Sequence, residues 1–134
     1  MDISQLVNSE DLFELKLLGP DKETPVGITF WVRSYESDAV KRVSRQHGDR
    51  FLGGGRKSKL TTSKIEAEYL DKAATAIAKW DWGEHSWKGE KPAIGFEKAR
   101  EIVEEAGWIY DQVADAADDR ANFTKPSQKA SAKR

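Results

Sequence analysis

Cysteine is missing from this chain of 134 residues. Its absence excludes disulfides, thiolate nucleophiles and thiolate metal sites, and fits a reducing compartment. Histidine occurs only as His47 and His85, short of the four nitrogen or sulfur ligands that a structural zinc site usually takes. Asp49 lies close to His47, and Glu84 and Ser86 flank His85. Sequence neighbours do not supply the three-dimensional nucleophile–base–acid arrangement of a triad, so both are read as surface or capping histidines. No apolar run approaches the ~18 residues needed to cross a bilayer. Residues 1–11 carry neither a basic n-region nor an apolar h-region, so no secretory signal is expected. Excess charge of one sign is lacking too. The 22 basic and 23 acidic residues leave a net charge of −1, which argues against a bulk polyanion binder.

What the chain does contain is charge, at 34% of residues against roughly 25% in an average domain, and tryptophan, of which there are five. The charge is segregated. Between residues 41 and 64, eight bases (Lys41, Arg42, Arg45, Arg50, Arg56, Lys57, Lys59, Lys64) face the single acid Asp49. Between residues 97 and 119, eight acids face only Lys98 and Arg100, and the tail 124–134 adds four more bases. Such a bipolar surface can steer a partner, or a second copy head to tail.

Periodicity predicts an α+β fold that is mostly α. An N-terminal β-hairpin spans 12–32, about four helices occupy 35–123, and a basic tail at 124–134 is disordered. One domain covers 1–123. In the hairpin, Phe13, Leu15 and Leu17 share one face of the first strand, and Val26, Ile28, Phe30 and Val32 share one face of the second. The loop between them starts at Gly19-Pro20-Asp21 and ends at Pro25. Ser34 or Ser37 then caps a helix that runs to about His47 and stops at Gly48. Residues 49–60, with Gly53-Gly54-Gly55, follow no period and read as a mobile basic loop. The four-residue steps Ile65, Tyr69, Ala73, Ile77 predict a helix over 63–79. Residues 80–92 break that period as a looped or short strand-like excursion. Two further helices are expected over 97–106, ended by Gly107, and over 108–119. Phe123 folds back onto the last, with Trp108 and Phe123 in the core.

Few motifs carry chemistry. Gly48 and Gly53 have phosphate-loop spacing, but Gly54 stands where lysine is required and a helix precedes the loop, so nucleotide binding is rejected. The basic stretch 41–64 fits phosphate contacts. Phe51 is its one interleaved aromatic, and its loop is too long for a helix-turn-helix. A small nucleic-acid-binding regulator using this segment is therefore the second reading. Trp80, Trp82 and Trp87 lie within eight positions. Aromatics on an irregular segment anchor an interface or roof the core.

The second half also resembles a known family. Ile65-Glu66-Ala67-Glu68-Tyr69-Leu70, then 76–80 with Trp82, and Trp87-Lys88-Gly89-Glu90-Lys91-Pro92 are similar in order to the tail assembly chaperones of long-tailed bacteriophages and prophages. Trp108-Ile109-Tyr110-Asp111-Gln112-Val113 and Asp119-Arg120-Ala121-Asn122-Phe123 continue the likeness. It covers residues 60–123 well and 12–59 loosely. The chain departs from the family at Gly95-Phe96-Glu97-Lys98-Ala99, where a Ser-x-Glu-Asn-Ala cap is usual.

The resemblance implies a non-enzymatic protein without cofactor that coats the tape measure protein and helps bring tail tube subunits to it. It implies action in the host bacterial cytoplasm, absence from the finished virion, and a frameshifted longer form in many phages, the Lys-rich end here marking the junction. Self-association is expected, and no membrane contact. The candidate partner-binding residues are Trp80, Trp82, Trp87, Tyr69, Arg56 and Lys57.

Overall fold

A computed structural model describes residues 3–53 and 62–124 of the chain. The expected hairpin is present: β1 (Leu12–Leu18) pairs antiparallel with β2 (Pro25–Arg33), Leu15 opposite Phe30 and Glu14 opposite Trp31. Alternation decides which face is covered. Leu17, Ile28, Phe30 and Val32 are buried under the helices, while Leu12, Glu14 and Lys16 stay exposed on the other side. The Gly19–Thr24 loop is tied by Asp21, whose carboxylate accepts from the Glu23 and Thr24 amides and the Thr24 hydroxyl. Those bonds, the Thr24 hydroxyl first, hold its pKa down at about 2.

The excursion expected over 80–92 as a loop or short strand begins as a strand, and begins earlier, within the expected helix. The helix predicted over 63–79 ends early: α2 is Thr62–Ala76, and β3 (Ile77–Asp81) follows directly, completing a sheet of order β1-β2-β3. Ile77 continues the helical stripe while Ala78, Trp80 and Trp82 follow a period of two, so periodicity alone is ambiguous there. The partner settles it. Without β3 the far edge of β2 would leave half-buried backbone groups unpaired; β3 meets them through Thr29–Asp81, Phe30–Trp80 and Trp31–Lys79 pairs. Arg33 donates to the Thr75 carbonyl at 2.5 Å and so satisfies the end of α2.

α1 (Asp38–Gly53) runs through Gly48, the expected stop, and takes in the first residues of the expected loop. The rest of that loop, from 54, and the tail from 125 lie outside the described residues. Ser37 sits before α1, yet its hydroxyl donates to the Ser34 carbonyl at 2.6 Å. The Asp38 amide is instead capped by the Glu10 carboxylate at 3.0 Å. α3 is Phe96–Glu105 and α4 is Gly107–Ala117. Gly107 opens α4 rather than closing a helix, and Ala106 is a one-residue corner between the two. Gly95, at the departure from the family pattern, precedes α3 without any side-chain cap bond.

The core joins the sheet's inner face to Val40, to Ala73, Ala74 and Ala76 of α2, and to Ile102, Val103, Ile109 and Val113 of α3 and α4. Phe123 is 2% exposed, as expected of a core residue, whereas Trp108 is only partly buried and packs at the core's margin. Gln112 holds α4 to the sheet. Its amide nitrogen donates to the Leu18 carbonyl and its oxygen accepts from the Leu18 amide, both at 2.8 Å, like a neighbouring strand. Gln112→Ala is expected to cost about 1–3 kcal/mol, since both Leu18 groups lose their partner. Gln112→Glu should fall in the same range, because a carboxylate cannot donate to the carbonyl. Urea unfolding of the two variants checks this.

Candidate partner-binding site

The three clustered tryptophans come together around the end of β3. Strand geometry puts Trp80 and Trp82 on the inner face with Phe30, and the ring centroids stand 5.5 Å (Phe30–Trp80), 5.9 Å (Phe30–Trp82) and 5.8 Å (Trp80–Trp82) apart. Trp87 reaches back from the following turn to 6.4 Å from Trp82. That turn needs glycine at Gly83: its φ is +60°, and a Cβ would stand 2.9 Å from the Gly27 carbonyl oxygen. Trp80 donates to the Pro92 carbonyl and Trp87 to the Glu101 carboxylate, each at 2.9 Å.

This geometry corrects the expectation for Trp82. It is 6% exposed, and its indole N–H finds no hydrogen-bond partner among the described residues. A side chain so enclosed is a core member and offers a partner no surface. Trp80 and Trp87 are half-buried and keep an outward edge. Trp80 also lines a shallow groove of ≈ 400 Å³ with Trp31, Lys79, Lys91 and Pro92. Sequence reasoning missed Trp31. It lies on the outer face between Glu14 and Lys79, and the Lys79 ammonium sits 4.7 Å from its ring centroid.

Tyr69 occupies a different place. It is 52% exposed on α2 and lines a groove of ≈ 530 Å³ between α2 and the α3–α4 corner. Leu70, Val103 and Tyr110 give that groove an apolar lining, and Glu66 and Glu104 give it acidic groups. Desolvation, first, and Asp111, next, raise the Tyr110 pKa, so its hydroxyl stays a neutral donor. Tyr110 was legible only as part of the resemblance. Arg56 and Lys57 lie outside the described residues.

The segregated charges are partly absorbed within the fold. Glu101 accepts from Trp87 and Lys98, which holds its carboxyl below the ordinary range, the Trp87 bond being the larger cause. Lys88 pairs with Glu105 at 2.7 Å, and the Lys88 pKa rises accordingly. His47 bonds Asp71 of α2 at 2.9 Å. Arg100 donates to the same Asp71 carboxylate at 2.7 Å and to Glu104 at 2.6 Å. This chain of side-chain bonds joins α1, α2 and α3 beside the Tyr69 groove. Lys41, Arg42 and Arg45 remain exposed along α1. No helix among the described residues is long and apolar enough to cross a membrane.

No family model, no curated protein and no solved structure matches the chain.

Proposed function

We propose that this chain is a non-enzymatic tail assembly chaperone, which binds the tape measure protein and promotes tail tube polymerisation around it. The observation that carries the reading is the groove at Tyr69. A half-exposed tyrosine stands over the apolar side chains of Leu70 and Val103, beside Tyr110, with Glu66 and Glu104 at hand. An amphipathic helix inserts apolar side chains spaced by three and four residues into a groove of that kind. A long helical partner with apolar stripes needs such cover until it is enclosed. The resemblance in residues 60–123 supports the same reading. Self-association, recruitment of the tube protein through a longer form, and action in the host cytoplasm belong to it.

Co-expression with the cognate tape measure protein tests it. The tagged chain is expected to capture that protein. Tyr69→Ala is expected to weaken capture about tenfold or more, as loss of an interface aromatic does, and to leave the melting temperature nearly unchanged because Tyr69 is exposed. Failure of capture, or capture indifferent to Tyr69, overturns the assignment of the groove. The exposed bases of α1 favour a nucleic-acid regulator as the second reading. A gel shift with random duplex that persists at physiological salt would decide for it.

A further inference from the structure

The two edges of the sheet differ at their ends. At β1 the backbone of Leu18 is already engaged by Gln112. At β3, no hydrogen bond among the described residues reaches the backbone groups of Ala78, Lys79, Trp80 and Asp81 that point away from β2. An open edge strand is a template for another strand, and proteins that avoid pairing blunt it with bulges, prolines or inward-facing charges; β3 has no proline, and its register shift lies at Ala78, before the Lys79–Asp81 stretch. The charges of β3 face outward, on the solvent side of the sheet, and their order is self-complementary.

We infer that β3 is a self-pairing edge: two copies of this chain join β3 to β3 antiparallel, about a two-fold axis at Trp80, into one continuous sheet. Register follows from the sequence. With Trp80 opposite Trp80 of the second copy, Lys79 of each copy lies directly opposite Asp81 of the other. Directly opposed residues of antiparallel strands share a face and stand about 4.5–5.5 Å apart at Cβ, where opposite charges attract and like charges repel. Lys79 and Asp81 are both exposed: the Lys79 ammonium rests over the Trp31 ring and one Asp81 oxygen accepts from the Gly83 amide at 2.9 Å, which leaves the second Asp81 oxygen to meet the lysine of the other copy. Centring the axis on Lys79 instead would oppose two lysines, which disfavours that register. The half-buried edge of Trp80 and the adjoining groove at Trp31 and Pro92 supply the apolar contact that the ladder alone lacks. The arrangement is isologous and closes at two copies. It differs from the head-to-tail stacking that segregated charge suggests, and it stands whether or not the chain is a tail chaperone.

An interface built on one five-residue strand lies at the small end of the range, below roughly 1,200 Å², so the dimer is expected to be weak, with Kd on the order of 10–100 μM. Sedimentation equilibrium of the full chain tests it. The wild type is expected to pass from monomer to dimer over that range. Asp81→Lys and Lys79→Asp, each checked for folding by circular dichroism, are expected to weaken dimerisation at least tenfold. The double variant K79D/D81K is expected to restore it. The chain has no cysteine, so K79C/D81C provides an independent reading of register: oxidation should yield a covalent dimer, whereas either single variant should yield far less. A wild type monomeric throughout, charge variants that dimerise normally, a double swap that stays monomeric, or a cysteine pair that does not cross-link would each overturn the inference.

Discussion

Trp82→Ala is expected to be among the most destabilising single substitutions in this protein, costing about 3–5 kcal/mol. Trp82 touches Phe30, Trp80 and Trp87 with its ring and is 6% exposed. Truncation removes the transfer free energy of an indole and leaves a cavity walled by three aromatic rings. Those rings cannot easily collapse into it, because Trp80 is bonded to Pro92 and Trp87 to Glu101. Trp82→Phe should be much milder than its loss of volume suggests, since it also removes a buried N–H without a partner. Urea unfolding separates the outcomes. A midpoint that barely moves for Trp82→Ala would return this residue to the surface and the cluster to an interface role. Trp87→Ala is expected to fall between the two, since Trp87 keeps an exposed edge and gives up one bond to a solvent-facing carboxylate.

The hairpin was legible because its strands alternate cleanly and one face is buried. Period two then fixes both element type and orientation. The third strand was legible only as one alternative from residue 80 on, and its start at Ile77 was not. Ile77 keeps the helical period while Ala78, Trp80 and Trp82 step by two, and what selects the strand is the unpaired edge of β2, a feature no local window contains. The α3–α4 corner was missed by one residue for a related reason. Gly107 has the look of a helix stop, but α4 starts there, and Ala106 alone makes the turn. The Trp cluster was legible as a cluster and misread in part as a surface. Sequence places Trp80 and Trp82 on one face of an extended segment without saying that the face looks inward.

The residues that carry the family resemblance divide by what they touch. Gln112 clasps Leu18; Asp119 accepts from the Ala121 amide; Asn122 donates to the Ala116 carbonyl at the end of α4; Phe123 is core. These side chains close the fold, and a motif made of them reports the fold first. Tyr69, by contrast, is exposed, and it and the half-buried Tyr110 line a groove with no side-chain hydrogen bond among the described residues.

Phe123→Ala is the second large effect, again about 3–5 kcal/mol, and its location makes it distinguishable from a generic core deletion. Phe123 is 2% exposed and meets Phe13 of β1 edge-on with centroids 6.4 Å apart. Its carbonyl accepts from the Asn8 amide at 2.8 Å, and the adjoining Val7–Thr124 bridge ties the two ends of the described chain together. Loss of the ring therefore unpins both ends at once. The Asn8 amide should lose hydrogen-exchange protection by more than the global destabilisation predicts, while amides of β2 should follow the global value. Arg120→Ala, three residues away, is the control. Its guanidinium bonds Glu36 at the surface and lowers the Glu36 pKa. The small contribution of such a pair is present above the ordinary carboxylate pKa and fades as pH falls through the depressed one. If Arg120→Ala at neutral pH destabilised as much as Phe123→Ala, the closure would be electrostatic and the packing argument would fail. If the Asn8 amide were unaffected by loss of the ring, the N-terminal segment would be held by something other than Phe123.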